Sequence, residues 1–150
     1  MRILIDADAC PVVDIAIDVA KSFGLECLLV CDTAHVFEKD GAKTITVSKG
    51  ADSVDFALVN MLKAGDIAVT QDYGLAAMCL ARQAYVIDQN GRVYTDKNID
   101  NLLYSRHKAG KIRRGGGRLK GPPKRQPGQD KSFKAALIKL INDNLNKDSE

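Results

Sequence analysis

The chain is poor in the residues that build zinc sites and contains no long apolar run. Its 150 residues include four Cys and two His, and no two cysteines have the C-x-x-C spacing, so we expect no zinc site. No apolar run approaches the roughly 20 residues of a membrane-spanning helix, and we expect no membrane partner. The first residues lack the basic and long apolar regions of a signal peptide, so we expect a cytoplasmic protein.

The composition that remains is that of a soluble globular protein, with 45% hydrophobic and 27% charged residues. We expect residues 1–150 to form one domain with a proper core. Residues 1–104 hold 9 Lys and Arg against 15 Asp and Glu, whereas residues 105–150 hold 13 against 4. The sequence therefore predicts an acidic body at 1–104, a basic Gly- and Pro-rich segment at 105–131, and a C-terminal helix at 132–146 that docks on the body.

Short apolar runs alternate with segments of helical spacing along the acidic body. The runs predict five strands, at 3–5, 25–31, 44–47, 67–69 and 84–87. Helices are predicted at 12–23, between the third and fourth strands, at 73–82, at 99–108 and at 132–145. This alternation predicts an α/β fold, a three-layer α/β/α sandwich with a mainly parallel central sheet. Asn90-Gly91 adds the signal of a short hairpin.

Local signals predict where several of these helices begin. Pro11 fits the first turn of the helix after the first strand, because its missing N–H costs nothing there. Asn98 or Asp100 is expected near the cap of the fourth helix, and Ser132 is expected to cap the last one.

Aspartates follow three of the predicted strands at the point where each strand ends. Asp6 and Asp8 follow the first strand, Asp52 and Asp55 follow the third, and Asp72 follows the fourth. The carboxyl ends of parallel strands share one edge of the sheet, where open α/β sheets keep their ligands. Converging carboxylates repel one another, and in practice they keep protons or bind a divalent cation.

This pattern predicts a site for Mg²⁺ or Mn²⁺ at which a phosphodiester could be hydrolysed. Its expected ligands are Asp6, Asp8, Asp52, Asp55 and Asp72, with Asp6, Asp55 and Asp72 as the catalytic set. Thr70 could add a hydroxyl, and Cys10 lies beside the first acids as a second supporting residue. A simpler interpretation treats each acid as a solvated loop residue or a helix N-cap.

Residues 106–125 carry nine Lys or Arg and no acid, with five glycines among them. Such a segment cannot pack a core alone, and we expect it to be mobile or clamped onto the body. One interpretation is a solvated linker, and the other is a surface that neutralises the phosphates of a nucleic acid. The candidate phosphate-binding residues are Arg106, Lys108, Lys111, Arg113, Arg114, Arg118, Lys120, Lys124, Arg125 and Lys131.

Several short motifs together resemble the YaiI/YqxD family of uncharacterised bacterial proteins, which is grouped with PIN-like nuclease domains. They span nearly the whole chain and are specific for membership of that family. The motifs are Ile5-Asp6-Ala7-Asp8-Ala9-Cys10-Pro11, Gly50-Ala51-Asp52-Ser53-Val54-Asp55, Gly65-Asp66 with Thr70-Gln71-Asp72, Arg113-Arg114, Gly121-Pro122-Pro123 and Asp130-Lys131-Ser132-Phe133.

The resemblance to PIN-like domains implies an α/β/α fold whose acidic residues bind Mg²⁺ or Mn²⁺ to cleave RNA or DNA. By position, Asp6 matches the first-strand aspartate, Asp52 or Asp55 matches the acid at the start of the central helix, and Asp72 matches the acid after the fourth strand. Many PIN-like nucleases have a further acid in the next helix, where this chain has residues 73–76 without one.

Three functions are therefore kept open. The first is a metal-dependent nuclease with RNA as the expected partner. The second is a haloacid-dehalogenase-type phosphatase, in which Asp6 is the phosphorylated nucleophile, Asp8 is the acid and base, and Lys63 and Gly65-Asp66 with Asp72 supply the later motifs. The third is a nucleic-acid-binding module that has kept the acidic site without catalysis.

Overall fold

The structure is a computed structural model and describes residues 1–32, 38–48, 50, 53–114 and 124–148, without the side chains of 106, 109–114 and 146–148. The strands are β1 (Arg2–Asp6), β2 (Glu26–Asp32), β3 (Lys43–Val47), β4 (Ile67–Val69), β5 (Tyr85–Ile87) and β6 (Val93–Tyr94). The helices are α1 (Val13–Phe23), α2 (Ser53–Met61), α3 (Tyr73–Ala81), α4 (Asp96–Arg114) and α5 (Pro127–Asp148).

Within the described residues the strands form one sheet in the order β3-β2-β1-β4-β5-β6. All neighbouring strands run parallel except β5 and β6, which form the antiparallel hairpin predicted from Asn90-Gly91. Strand β1 lies at the centre, and its Ile5 is level with Leu29 of β2 and Val69 of β4. The predicted α/β fold with a mainly parallel sheet is therefore confirmed.

Helices cover both faces of the sheet and leave β1 buried on each side. Ile3 and Ile5 pack into a core with α1 and α5, whereas Leu4 packs into a second core with α2, α3 and α4. All three side chains have no solvent exposure, as expected for a strand whose apolar residues are consecutive rather than alternating. Truncating any of them to Ala should cost roughly 2–5 kcal/mol of stability.

Helix α1 ends as its sequence predicts but begins later. Gly24 terminates it with φ of 66°, a left-handed conformation in which its N–H caps the last turn. Pro11 was expected in the first helical turn, but it lies in a turn before the helix, and Val12 occupies the N-cap position. The chain needs those extra residues because Ala9, with φ of 59°, first redirects it away from β1.

Helices α4 and α5 are both longer than predicted. Helix α4 begins at Asp96 because the Thr95 hydroxyl accepts from the Asn98 N–H at 3.1 Å and the Asn98 side chain accepts from the Thr95 N–H at 2.9 Å, so Thr95 is the cap. It continues to Arg114, and the first part of the basic segment is therefore helical. Among the described helices none is long and apolar enough to cross a membrane.

The prediction that Ser132 caps the last helix is wrong, because α5 begins at Pro127. Proline is suited to a first helical position, and the Gln129 side chain accepts from the Gln126 N–H at 2.7 Å to close the first turn. Ser132 lies inside the helix. Further along, Phe133 and Leu137 are fully buried in the core shared with α1.

The β5–β6 turn is fixed by Asp88 and packs against α5. The Asp88 Oδ1 accepts from the N–H groups of Asn90 at 2.9 Å and Arg92 at 2.8 Å. Gly91 has φ of 91°, and a Cβ there would lie 2.7 Å from the Ser132 carbonyl oxygen. A glycine is thus needed here both for its backbone conformation and for the close approach of the helix.

Candidate active site

Asp6 and Thr70 are side by side at the carboxyl edge of the sheet. They follow Ile5 and Val69, which are partners in the parallel pairing of β1 and β4. The Thr70 hydroxyl donates to the Asp6 Oδ2 at 2.9 Å and accepts from the Asp72 N–H at 3.0 Å. Because Thr70 is 3% exposed, this hydroxyl fixes the Asp6 carboxyl from the buried side.

Three further carboxylates lie close enough to Asp6 to change its protonation. Burial is the largest cause that raises the pKa of Asp6 from 3.8 to about 6. The hydrogen bond from Thr70 opposes the shift, and the charges of Asp55, Asp72 and Asp8 add to it. The structure therefore brings together acids that come from the end of β1, the start of α2 and the start of α3.

Two of these acids also stabilise the local backbone. The Asp72 Oδ1 caps α3 by accepting from the N–H groups of Gly74 at 2.9 Å and Leu75 at 3.2 Å. The Asp8 Oδ2 accepts from the Asp32 N–H at 3.1 Å and so joins the loop after β1 to the end of β2. We call Asp6, Asp8, Asp55 and Asp72 the acid cluster. A residue such as Asp72 can therefore cap a helix and belong to this cluster at the same time.

Asp55 lies in the first turn of α2, where the helix dipole favours a negative charge. Asp52, the other predicted acid of this segment, lies outside the described residues. Of the five predicted metal ligands, the structure therefore describes the positions of four, which are Asp6, Asp8, Asp55 and Asp72.

The donor atoms around Asp6 are carboxylate and hydroxyl oxygens, which are the ligands that Mg²⁺ and Mn²⁺ prefer. The charges of Asp55, Asp72 and Asp8 add to the rise in the pKa of the partly buried Asp6. Chemically the cluster fits a divalent cation. As their side chains stand, however, the described residues contain no group of three or more His, Cys, Asp or Glu that could hold a metal ion. The metal site stays a prediction.

Cys10 lines a narrow cleft with Asp6, Thr70, Gln71 and Gln89. Burial raises the pKa of its thiol, the nearby charge of Asp6 raises it further, and a backbone hydrogen bond and the charge of Arg125 oppose the shift. A thiol held neutral in this way is a poor nucleophile. Cys10 therefore contributes to the wall of the cleft, while Cys27, Cys31 and Cys79 are buried in the cores.

Sequence reasoning missed Gln71 and Gln89, which separate the cleft at Asp6 from two larger cavities. One cavity of about 260 Å³ lies toward Pro11 and Arg125. The other, of about 250 Å³, lies toward Tyr73 and the β5–β6 hairpin. Both glutamines line all three depressions. The only signal in the sequence is their position next to an aspartate that follows a strand.

Arg125 holds the start of α5 against the β5–β6 turn. Its guanidinium donates to Asn90 Oδ1 at 2.8 Å and to the Gln89 carbonyl at 2.9 Å, and it forms an ion pair with Asp130 at 2.6 Å. These contacts give Arg125 a structural role that its prediction as a phosphate-binding residue did not include.

The other predicted phosphate-binding residues fall into three groups. Lys108, Lys124 and Lys131 have exposed side chains. Four residues have a helical backbone in α4 and side chains that are not described, and they are Arg106, Lys111, Arg113 and Arg114. Arg118 and Lys120 lie outside the described residues.

Asp66 lies at the opposite edge of the sheet, where it pairs with Arg2. Its carboxylate accepts from the Arg2 guanidinium at 2.7 Å and from the N–H groups of Arg2 at 3.0 Å and Lys63 at 2.9 Å. Arg2 and Asp6 are at the two ends of β1, which at about 3.3 Å per residue puts roughly 13 Å between them. Lys63 and Asp66 therefore lie at the end of β1 opposite Asp6, and the phosphatase alternative stays a hypothesis without these two residues beside its nucleophile.

Comparison with known proteins identifies relatives of this chain. Residues 4–143 match the sequence model described as "Uncharacterized BCR, YaiI/YqxD family". A UPF0178 protein of Exiguobacterium sibiricum is 57% identical over 141 residues, which are 94% of this chain and 96% of the relative. One of Ruminiclostridium cellulolyticum is 50% identical over 141 residues, 94% of this chain and 92% of the relative. No solved structure matches. The chain belongs to the YaiI/YqxD family.

Proposed function

We propose that this protein is a nuclease that uses Mg²⁺ or Mn²⁺ to hydrolyse phosphodiesters, with RNA as its substrate in preference to DNA. The observation that carries the proposal is the acid cluster at the carboxyl edge of the sheet, where three carboxylates surround the partly buried Asp6 and help to raise its pKa to about 6. Perturbed acids in a cleft are typical of functional sites. The resemblance of the chain to PIN-like domains supports the same chemistry.

In this proposal Asp6, Asp55 and Asp72 are the principal ligands, and Asp8 and Asp52 support them. A bound divalent cation would supply a nucleophilic water and charge stabilisation for the displaced oxygen. Thr70 keeps the Asp6 carboxylate in one orientation through the 2.9 Å hydrogen bond. Because a ligand carboxylate must be ionised, cation binding below about pH 6 would release the proton that Asp6 retains in the metal-free protein.

The basic residues of α4 and of the segment that follows it would hold the phosphate backbone. Lys108, Lys124 and Lys131 expose their ammonium groups and are available for this contact. Each phosphate neutralised releases counterions, so we expect affinity for RNA that falls steeply with salt. The basic segment brings a polyanion to an acidic body that would otherwise repel it.

The direct test compares cleavage of single-stranded RNA and DNA by the wild type, Asp6→Asn and Asp72→Asn in the presence of Mn²⁺. Each substitution keeps side-chain shape and removes one charge, and we expect a loss of at least about a hundredfold in cleavage rate. Asp18→Asn, on the exposed face of α1, is the matched control and should cleave as the wild type does. Cleavage that persists in both variants would overturn the assignment.

Titration of the metal-free protein with Mn²⁺ in a calorimeter tests the cluster independently of any substrate. We expect binding to the wild type, with proton release when the titration is run below about pH 6, and weaker or no binding to Asp72→Asn. If the protein binds RNA in a salt-sensitive way but neither binds Mn²⁺ nor cleaves, it is the non-catalytic module. The four residues without an acid after Asp72 favour that second candidate.

A further inference from the structure

The cavity between α3 and the β5–β6 hairpin contains polar groups that the fold leaves without partners. We call it the tyrosine pocket, and its wall includes Gln71, Tyr73, Gln89, Arg92 and Tyr94. Tyr94 is 2% exposed, yet its hydroxyl has no hydrogen-bond partner among the described residues. The Gln89 Oε1 is also buried and also has no hydrogen-bond partner among the described residues. Burying such groups without partners costs free energy, and both residues line the pocket, so a ligand or a water there could supply the missing hydrogen bonds.

The tyrosine pocket is small, polar and partly aromatic. Its volume of about 250 Å³ is below the roughly 300–1,000 Å³ of pockets for drug-sized molecules and suits one planar ring system. Tyr73 and Tyr94 meet edge to face, with ring centroids 6.0 Å apart and an interplanar angle of 70°. Tyr73 remains partly exposed, so a ring of the ligand can stack on it.

The pocket adjoins the acid cluster. Gln71 and Gln89 line both the tyrosine pocket and the cleft at Asp6, so the two depressions are neighbours. Tyr73 directly follows Asp72, the acid that caps α3. A ligand with a negatively charged group near Asp6 would therefore place the adjacent part of its structure against Tyr73.

From these observations we propose that the tyrosine pocket binds the base of a nucleotide that neighbours the phosphate at the acid cluster. The base stacks on Tyr73 and exchanges hydrogen bonds with the Tyr94 hydroxyl and the Gln89 amide. Arg92, in the wall of the pocket, contacts the sugar-phosphate backbone of the nucleic acid. Every base has a stackable face and polar edges, so single-stranded nucleic acid is the ligand class. This inference rests on the proposed function and names how its substrate is held.

The test measures binding without catalysis, in chelator and again with Ca²⁺ in place of Mn²⁺, because the carboxylates repel a phosphate when no cation is bound. The probes are a short single-stranded RNA and the same RNA with abasic positions, and the readouts are the dissociation constant and tyrosine fluorescence, which is observable because the chain has no Trp. We expect the normal RNA to bind more tightly and to quench the fluorescence. Tyr73→Ala should weaken its binding about tenfold, and Tyr73→Phe should retain it.

Tyr94→Phe separates a ligand contact from a structural one. Because the hydroxyl has no protein partner among the described residues, its removal should leave the unfolding temperature unchanged or raised. RNA binding should fall about fivefold, the value of a lost hydrogen bond. Tyr85→Phe, in β5 and outside the pocket lining, is the control and should bind RNA as the wild type does.

Three results would overturn the inference. They are equal binding of normal and abasic RNA, a Tyr94→Phe variant that loses stability but binds RNA normally, and competition by ribose 5-phosphate as strong as that by a nucleoside monophosphate. The last would identify a phosphate site instead. Asp6→Asn distinguishes this failure from that of the nuclease proposal. If the wild type binds RNA in a base-dependent way but does not cleave it, the pocket proposal is supported and the nuclease proposal fails. If cleavage depends on Asp6 but binding shows no preference for bases, the nuclease proposal is supported and the pocket proposal fails.

Discussion

At each end of β1 an aspartate forms a hydrogen bond that links this strand to a residue next to β4, and the two aspartates are stabilised in opposite ways. At the amino end, Asp66 accepts four hydrogen bonds from Arg2 and Lys63, two of them from the guanidinium. At the carboxyl end, Asp6 accepts from Thr70 alone among the described residues and lies near three other carboxylates. An aspartate carboxylate is thus paired with a cation at one edge of the sheet, whereas at the other edge the ionised form of an aspartate is destabilised.

The difference agrees with a structural role for Asp66 and with the site proposed at Asp6. Asp66 has an exposed side-chain fraction of 5%, and its charge is matched by a cation and directed hydrogen bonds, as stability requires. Asp6 has a raised pKa, mainly because of its burial, and perturbed acids of this kind are frequent at functional sites. If the proposed function is right, the unfavourable placement of Asp6 is one that the surrounding fold stabilises for the sake of the site.

The largest effect on stability is expected at the amino edge. Asp66→Asn should lower the free energy of unfolding by about 3 kcal/mol, because it leaves the partly buried Arg2 guanidinium without a counter-charge and turns an acceptor into a donor. Urea denaturation measures this change. The exposed pair of Lys21 and Asp40 supplies the control, since Asp40→Asn should not change stability measurably. A loss at Asp66 no larger than the control would remove the contrast between the two edges.

Much of the fold follows from the sequence because its signals are local. Apolar runs and helical spacing gave the strands and the parallel sheet, and the confirmed Gly24 stop depends on one residue. The predicted ends of α4 and α5 were wrong because local signals alone do not decide where a helix begins or ends. Lys and Arg are good helix formers, so α4 continues to Arg114 through Gly110, and tertiary packing overrides the cap signal of Ser132.

The acids of the candidate site could be predicted because each follows a strand, and parallel strands end at one edge. The tyrosine pocket could not be predicted from the sequence. Its wall joins residues from the start of α3 and from both sides of the β5–β6 turn, and Arg125 contacts Gln89 across 36 positions of sequence. No periodicity indicates which side chains from separate segments meet, nor that the hydroxyl of a buried Tyr94 is left without a partner among the described residues.

The next effect concerns pH at the carboxyl edge of the metal-free protein. The folded state holds the Asp6 proton up to about pH 6, whereas an ordinary aspartate releases it near 3.8. The folded protein therefore binds more protons between these values, and stability should fall as pH rises through this window, by up to about 3 kcal/mol. Asp6→Asn cannot ionise and keeps an acceptor for Thr70, so its advantage over the wild type should grow from pH 4 to 7 and then level off.

Denaturation of both proteins in chelator across this pH range measures the difference, with Asp18→Asn as a control acid on α1. A constant difference between Asp6→Asn and the wild type at every pH would show that Asp6 titrates normally. Addition of Mn²⁺ should reverse the order near neutral pH, because an ion that binds only the folded wild type stabilises it by mass action.

The smallest effect separates the two roles of Asp72. Asparagine is as good an N-cap as aspartate, so Asp72→Asn should change stability by less than about 0.5 kcal/mol, whereas Asp72→Ala should cost about 1 kcal/mol. Both substitutions remove the charge that, after burial and the charge of Asp55, raises the pKa of Asp6, and both should lower that pKa equally. Carbon-detected NMR titration of Asp6 and urea denaturation provide the two readouts. If Asn and Ala destabilise the protein alike, the cap contributes nothing, and if the pKa of Asp6 does not fall, the carboxylates of β1 and α3 are not coupled and the proposed ligand set loses Asp72.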